Sequence, residues 1–205
     1  CALPISYGIS QLLYGPVGDR YGKVRVVAYG CAACSSTALL CGAVLDFEAL
    51  LVARALAGAT AAAVIPLSMA WIGDVVPYAY RQPVLARFLI GQILGLSAGV
   101  VIGGLSADYL AWRMPFVLIS IWFAGTSIYL HRINAVLPAD ARAMHVSEAA
   151  GFRRMFIEFR HVLQRAWARQ VLLTVALEGA VTFGALAFVP AHLHSNYGLS
   201  LASSG

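Results

Sequence analysis

Charge is scarce in this chain. Asp, Glu, Lys and Arg make up 11% of its 205 residues, against about 25% in an ordinary soluble domain. Apolar residues make up 60%, and mean hydropathy is +0.79. So few charges cannot cover a globule in water, which leaves lipid as the solvent around most of the chain. Acids are the rarer sign, nine against fourteen bases, for a net charge of +5. That excess would suit nucleic acid, but the bases sit between long apolar runs, which is the pattern of membrane topology. No nucleic-acid partner is expected. Apart from Asp74 at the end of one, the apolar runs hold no histidine and a single acid, Glu178, too little for the nucleophile–base pair or metal cluster of a membrane-embedded enzyme. A G-x-x-x-x-G-K-[ST] loop is missing, which disfavours an ATP-driven pump. Cys31, Cys34 and Cys41 share one apolar segment, where a disulfide framework has no purpose. Their C-x-x-C has neither a second pair nor a flanking histidine, so these are packing residues, and no metal or cofactor is expected.

What the chain does have is length in its apolar runs. A membrane helix needs about 20 mostly apolar residues, and six segments qualify wholly or nearly so. They run from the N-terminus to about Val17, from Val26 to Leu45 and from Ala49 to Val76. The remaining three run from Leu85 to Ala107, from Met114 to Leu130 and from Val171 to Ala191. None shows the alternation of a barrel strand, so the fold class is all-α, a polytopic membrane helical bundle. Arg20, Lys23, Arg25, Arg81, Arg87, Arg132, Arg142, Arg153, Arg154, Arg160, Arg165 and Arg169 all fall in alternate loops, Arg87 at the very edge of its segment. The other loops carry Asp46, Glu48, Asp108 and a lone Arg113. The basic loops are therefore expected in the cytoplasm.

One loop is long, from about His131 to Ala168. Within it Phe152, Met155, Phe156, Phe159, Val162, Leu163 and Trp167 recur at helical spacing among four arginines. This predicts an amphipathic helix at the cytoplasmic interface, attracted to anionic headgroups. A calmodulin-target helix has similar composition but suits this position less well. His145 and His161 are expected in solvent.

The turn after the first segment reads Gly15-Pro16-Val17-Gly18-Asp19-Arg20-Tyr21-Gly22-Lys23-Val24-Arg25. Gly15 and Gly18 let helices approach, and Gly22 permits a reversal that a Cβ would hinder. Further on, Arg54 precedes Gly58 by four residues, and Asp74 ends the third segment. Gly91, Gly95, Gly99 and Gly103 recur every fourth residue, with Gly104 adjacent, a stripe against which a second backbone can pack. Together these resemble the major facilitator superfamily. The turn is similar to the family's signature between helices 2 and 3, with Val24 at a frequently basic position. Arg54 to Gly58 resembles its helix 4 pattern, and Trp112-Arg113-Met114-Pro115-Phe116 resembles the entry into helix 6. The glycine stripe resembles the helix 5 motif of antiporters, although Val100 stands where that motif has proline.

The resemblance implies a partial major facilitator fold, family helices 2 to 7, or about six of the usual twelve. Residues 7–131 would be most of the N-terminal half. Residues 132–167 would be the cytoplasmic loop between halves, and residues 168–205 helix 7 with the start of the next outer loop. Residues 1–6 are expected to be non-native, because Cys1-Ala2-Leu3-Pro4-Ile5-Ser6 can be encoded by TGTGCTCTTCCGATCTCN, which contains the shared end of common sequencing-library adapters. The implied function is proton-coupled efflux of a small molecule by alternating access, from a monomer in the bacterial inner membrane. An uptake symporter is the alternative within the class; a membrane-embedded enzyme or a non-functional gene fragment lies outside it. Helices 4 and 7 would line the transport cavity. They carry the two intramembrane charges, Arg54 and Glu178. Such charges face a cavity or a partner, and the resemblance suggests proton coupling or substrate binding for Arg54. Snorkelling of Arg54 and a plain interhelical hydrogen bond from Glu178 are the alternatives. Lys23 is expected beside Asp74, and Pro66 is expected to bend its helix. Gln11 and Gln92 are weaker polar candidates.

Overall fold

The computed structural model of the protein describes residues 2–109, 111–138 and 152–197. Arg142 and His145 lie outside them. Among the described residues there are eight helices and no strand. In chain order they are α1 (Ala2–Tyr21), α2 (Lys23–Ala43), α3 (Phe47–Ala61), α4 (Val64–Val75), α5 (Tyr78–Tyr109), α6 (Met114–Val136), α7 (Phe152–Gln164) and α8 (Ala166–Tyr197). Four stretches among these residues are long and apolar enough to cross a membrane: Lys23–Ala43, Phe47–Val75, Tyr78–Ser106 and Met114–Val136. The helices at the first and last expected segments, α1 and α8, have 20 and 32 residues. Each is long enough to span, but Gln11, Asp19 and Arg20 dilute the apolar content of α1.

Two of the boundaries that differ from the sequence reading have a local reason. The third segment is not one helix but two, broken at Ala62 and Ala63. Pro66 offers no N–H to the Ala62 carbonyl, and its ring crowds that carbonyl. The ladder resumes on either side, with Ala62 N donating to Gly58 O at 3.2 Å and Leu67 N to Ala63 O at 3.3 Å. At its far end α6 continues to Val136 rather than stopping at Leu130. Its C-cap is Leu137, whose N–H reaches Ile133 O at 2.9 Å, and Pro138 follows.

The chain divides into two compact units, Cys1–Ile93 with Arg113–Ala150, and Leu94–Trp112 with Gly151–Gly205. In the first, α2 is central and packs on α6, α3, α4 and α1, while α1 also lies along α3. Val26, Val27, Cys31, Ala63 and Leu67 form its core. Small residues make the close packing possible, since Ala28, Gly30, Cys31, Cys34 and Ala38 of α2 are all buried. Lipid tails give helices no hydrophobic reason to associate, so close contact and interhelical hydrogen bonds must supply the attraction. Ser127 Oγ donates to Ala28 O at 2.9 Å, and Ser35 Oγ to Ser120 O at 2.9 Å, which ties α6 to α2. Thr60 Oγ1 lies 3.3 Å from Thr37 Oγ1 and 3.5 Å from Cys34 Sγ, which ties α3 to α2. In the second unit α7 packs on α8.

Candidate functional site

The residues of the glycine-rich turn converge on one end of the first unit. Only Gly22 separates α1 from α2. Its φ of 89° lies where a Cβ would be strained. Gly22 N still donates to Gly18 O at 2.9 Å, and Val26 N to Gly22 O at 3.0 Å. The two helices thus meet at one residue with their hydrogen-bond ladders nearly intact.

That joint places Lys23 between two carboxylates. Its ammonium donates to Asp74 Oδ2 at the end of α4 and lies 3.3 Å from Asp19 Oδ1, one turn back in α1. The Lys23 side chain is 12% exposed, Asp74 23% and Asp19 43%. Both acids sit in the last turns of their helices, where the helix dipole disfavours negative charge. A cation shared between them offsets that cost, and it does so best at the more buried Asp74. Arg81 supports the same helix end, with Nη2 donating to Gly73 O at 2.6 Å. That carbonyl is one of those α4 leaves without a helical partner. Arg20 and Arg25 are exposed and rest on aromatic rings, 5.4 Å from the Tyr21 centroid and 5.8 Å from the Tyr29 centroid.

Gly18 is buried against α4, and a Cβ there would lie 2.5 Å from Leu67 Cδ2. Leu67 in turn lines a cavity of about 270 Å³ beside Lys23, with Val27, Trp71, Phe88 and Ile133 among its other walls. Gly15 is exposed with open space around it. Sequence reasoning used Arg81 only for topology and gave Leu67 and Trp71 no part. The signal for Arg81 was its position just beyond the Pro77 turn, within reach of the carbonyls that end α4.

The remaining candidates lie on α3, α5 and α8. Arg54 is exposed on α3 with its guanidinium 5.6 Å from the Phe116 ring centroid, a cation–π distance. Gly58 is buried where α1 crosses α3, and a Cβ there would overlap the Leu3 carbonyl oxygen and Ser6 Oγ. The Ser6 hydroxyl donates to Ala55 O at 2.6 Å across that crossing. Gly91, Gly95 and Gly99 are exposed and Gly103 and Gly104 half-buried on α5. A Cβ on Gly91, Gly95, Gly99 or Gly103 would meet no atom within 4 Å. Glu178 is exposed on α8 in the second unit. Of the sequence candidates, then, Gly18, Asp19, Gly22, Lys23 and Asp74 are brought together. Arg54, in the same unit, is not part of that cluster. No group of three or more metal-ligating side chains occurs among the described residues.

The sequence has relatives among known proteins. The chain is 26% identical over 204 residues to the uncharacterized MFS-type transporter YceJ of Bacillus subtilis, covering 100% of this chain and 50% of that protein. It is 35% identical over 117 residues to the puromycin resistance protein pur8 of Streptomyces alboniger, covering 55% of this chain and 22% of that protein. Multidrug resistance protein 3 of Bacillus subtilis is 28% identical over 108 residues, covering 52% of this chain and 21% of that protein. The chain thus spans half or less of the length of these relatives. The sequence model of the Major Facilitator Superfamily matches residues 2–205. With its all-helical fold and apolar spans, the chain belongs to the major facilitator superfamily of multi-pass membrane proteins.

Proposed function

We propose that the protein is a secondary transporter that expels small molecules from the cytoplasm, by alternating access and at the expense of a proton gradient. The observation that carries this reading is the ionic joint of Asp19, Lys23 and Asp74. It ties the α1–α2 turn to the end of α4 at the side where the basic loops lie, and the positive-inside rule makes that side cytoplasmic. Such a joint keeps three helices moving as one body, which rocking about a central site requires. Asp19 is the more exposed acid, at 43%, so it is free to meet a helix end of the other half and stabilise the outward-open state. Drug-resistance proteins among the relatives favour efflux and a drug-like organic substrate. The protein then moves its substrate without transforming it. We place it as a monomer in the bacterial inner membrane, with Arg54 and Glu178 as the groups that handle proton or substrate. Uptake by symport is the second reading, favoured by Val100 at the proline position of the antiporter motif.

The test is transport by the full-length protein in proteoliposomes, with puromycin and a panel of organic cations under imposed pH gradients of either sign. Expulsion that follows the inward proton gradient supports the proposal. Accumulation with proton entry supports symport, and no transport of any compound under either gradient refutes both.

A further inference from the structure

The helix α7 leaves an apolar face uncovered. Phe156 is 65% exposed, and Phe159, Val162 and Leu163 are exposed beside it, while Arg160, His161 and Gln164 occupy the other side. A helix of 13 residues is marginal in water unless that face packs on something. Its position says where the cover lies. Arg165 alone joins α7 to α8, and it is bonded both ways: Arg165 N donates to Val162 O at 3.1 Å, and Arg169 N to Arg165 O at 3.2 Å. Two residues beyond the joint, Trp167 is 63% exposed between Arg165 and Arg169. An exposed tryptophan flanked by arginines at the start of a long apolar helix marks headgroup depth. The last turn of α7 is therefore at that depth too, and the helix is about 20 Å long.

Charge chooses among the possible covers. Residues 152–169 contain Arg153, Arg154, Arg160, Arg165 and Arg169 against the one acid Glu158, a net charge of +4. We infer that α7 docks on anionic phospholipid, with its phenylalanines in the acyl boundary and its arginines on the phosphates. Neutral lipid would accept the apolar face but leave the charges uncompensated. Because a single hydrogen-bonded residue follows, the docked helix fixes the depth and rotation of α8. This inference concerns α7 alone and does not depend on the transport reading.

The experiment is hydrogen exchange of the Phe156–Gln164 amides in the protein reconstituted into nanodiscs of phosphatidylcholine, with or without phosphatidylglycerol. Exchange slows at least about tenfold in the anionic discs, because each arginine near the surface contributes about fivefold. Arg160→Gln with Arg165→Gln removes most of that difference, and α2 peptides stay equally protected throughout. Phe156→Ser with Phe159→Ser exchanges rapidly in both discs. Equal exchange of the wild type in the two lipids overturns the inference. Slow exchange in both would mean that protein or neutral lipid covers the face, and fast exchange in both that it stands in water. Full anionic protection retained by the double serine variant overturns it as well, since charge alone would then suffice.

Discussion

At the scale of single residues, the energetics centre on Lys23. Exposed ion pairs contribute little, about 0–1 kcal/mol, while breaking a buried one costs several. With Lys23 at 12% exposure and Asp74 at 23%, the pair stands between those limits. A double-mutant cycle of Lys23→Met and Asp74→Asn is expected to give a coupling of about 1–2 kcal/mol, read from thermal unfolding in detergent. A coupling near zero would show that the pair holds nothing. Two glycines provide a second comparison. Gly18→Ala pushes against the end of Leu67, which can turn into the adjoining cavity, so its expected cost is below about 1 kcal/mol. Gly58→Ala meets the backbone carbonyl of Leu3, which moves only if α1 moves, and is expected to cost about 1–3 kcal/mol. Equal losses at the two sites would contradict this account. The pairing of Lys23 with Asp74 was legible because the family's spacing names both residues. The neighbours of Gly18 and Gly58 were not, since a glycine in the sequence says that something comes close without saying what.

At the scale of elements, the break between α3 and α4 is the feature to test. Pro66 was visible in the sequence as a bend, but apolar periodicity runs through Ala62 and Ala63 without interruption, so two helices read as one. Pro66→Ala supplies the missing N–H to the Ala62 carbonyl and is expected to make the span Phe47–Val75 a continuous helix. Stability in detergent should hold or rise, since a mid-helix proline costs about 3 kcal/mol. Transport by the full-length protein should slow about tenfold, the effect of about 1.4 kcal/mol in the balance of its conformers. Unchanged transport would make the break incidental. The amphipathic helix α7 was legible as an element, because Phe156, Phe159 and Leu163 mark one face without any help from tertiary contacts. The start of α5 at Tyr78, seven residues before the apolar run, was not. Polar Tyr78, Arg81 and Gln82 carry no hydrophobic signal there, and Arg81 earns its place through the end of α4.

At the scale of the whole molecule, the proposed proton coupling rests on Glu178, an acid in the middle of an apolar run. Glu178→Gln keeps the volume and most of the hydrogen-bonding capacity but removes charge and proton exchange. In the full-length protein it is expected to abolish gradient-driven accumulation while leaving substrate exchange near the wild-type rate. Near-wild-type values in both assays would remove Glu178 from the mechanism. The topology behind this proposal is the expectation set by the alternation of basic and acidic loops. The partners of Arg54 and Glu178 were not readable, because a lone charge in an apolar run specifies a need for a neighbour and not its identity. The joint at Gly22 also bears on how the protein is made. With one residue between α1 and α2, the turn offers no loop in which the two helices could part, so they are expected to settle in the bilayer together, with Lys23 held at the turn.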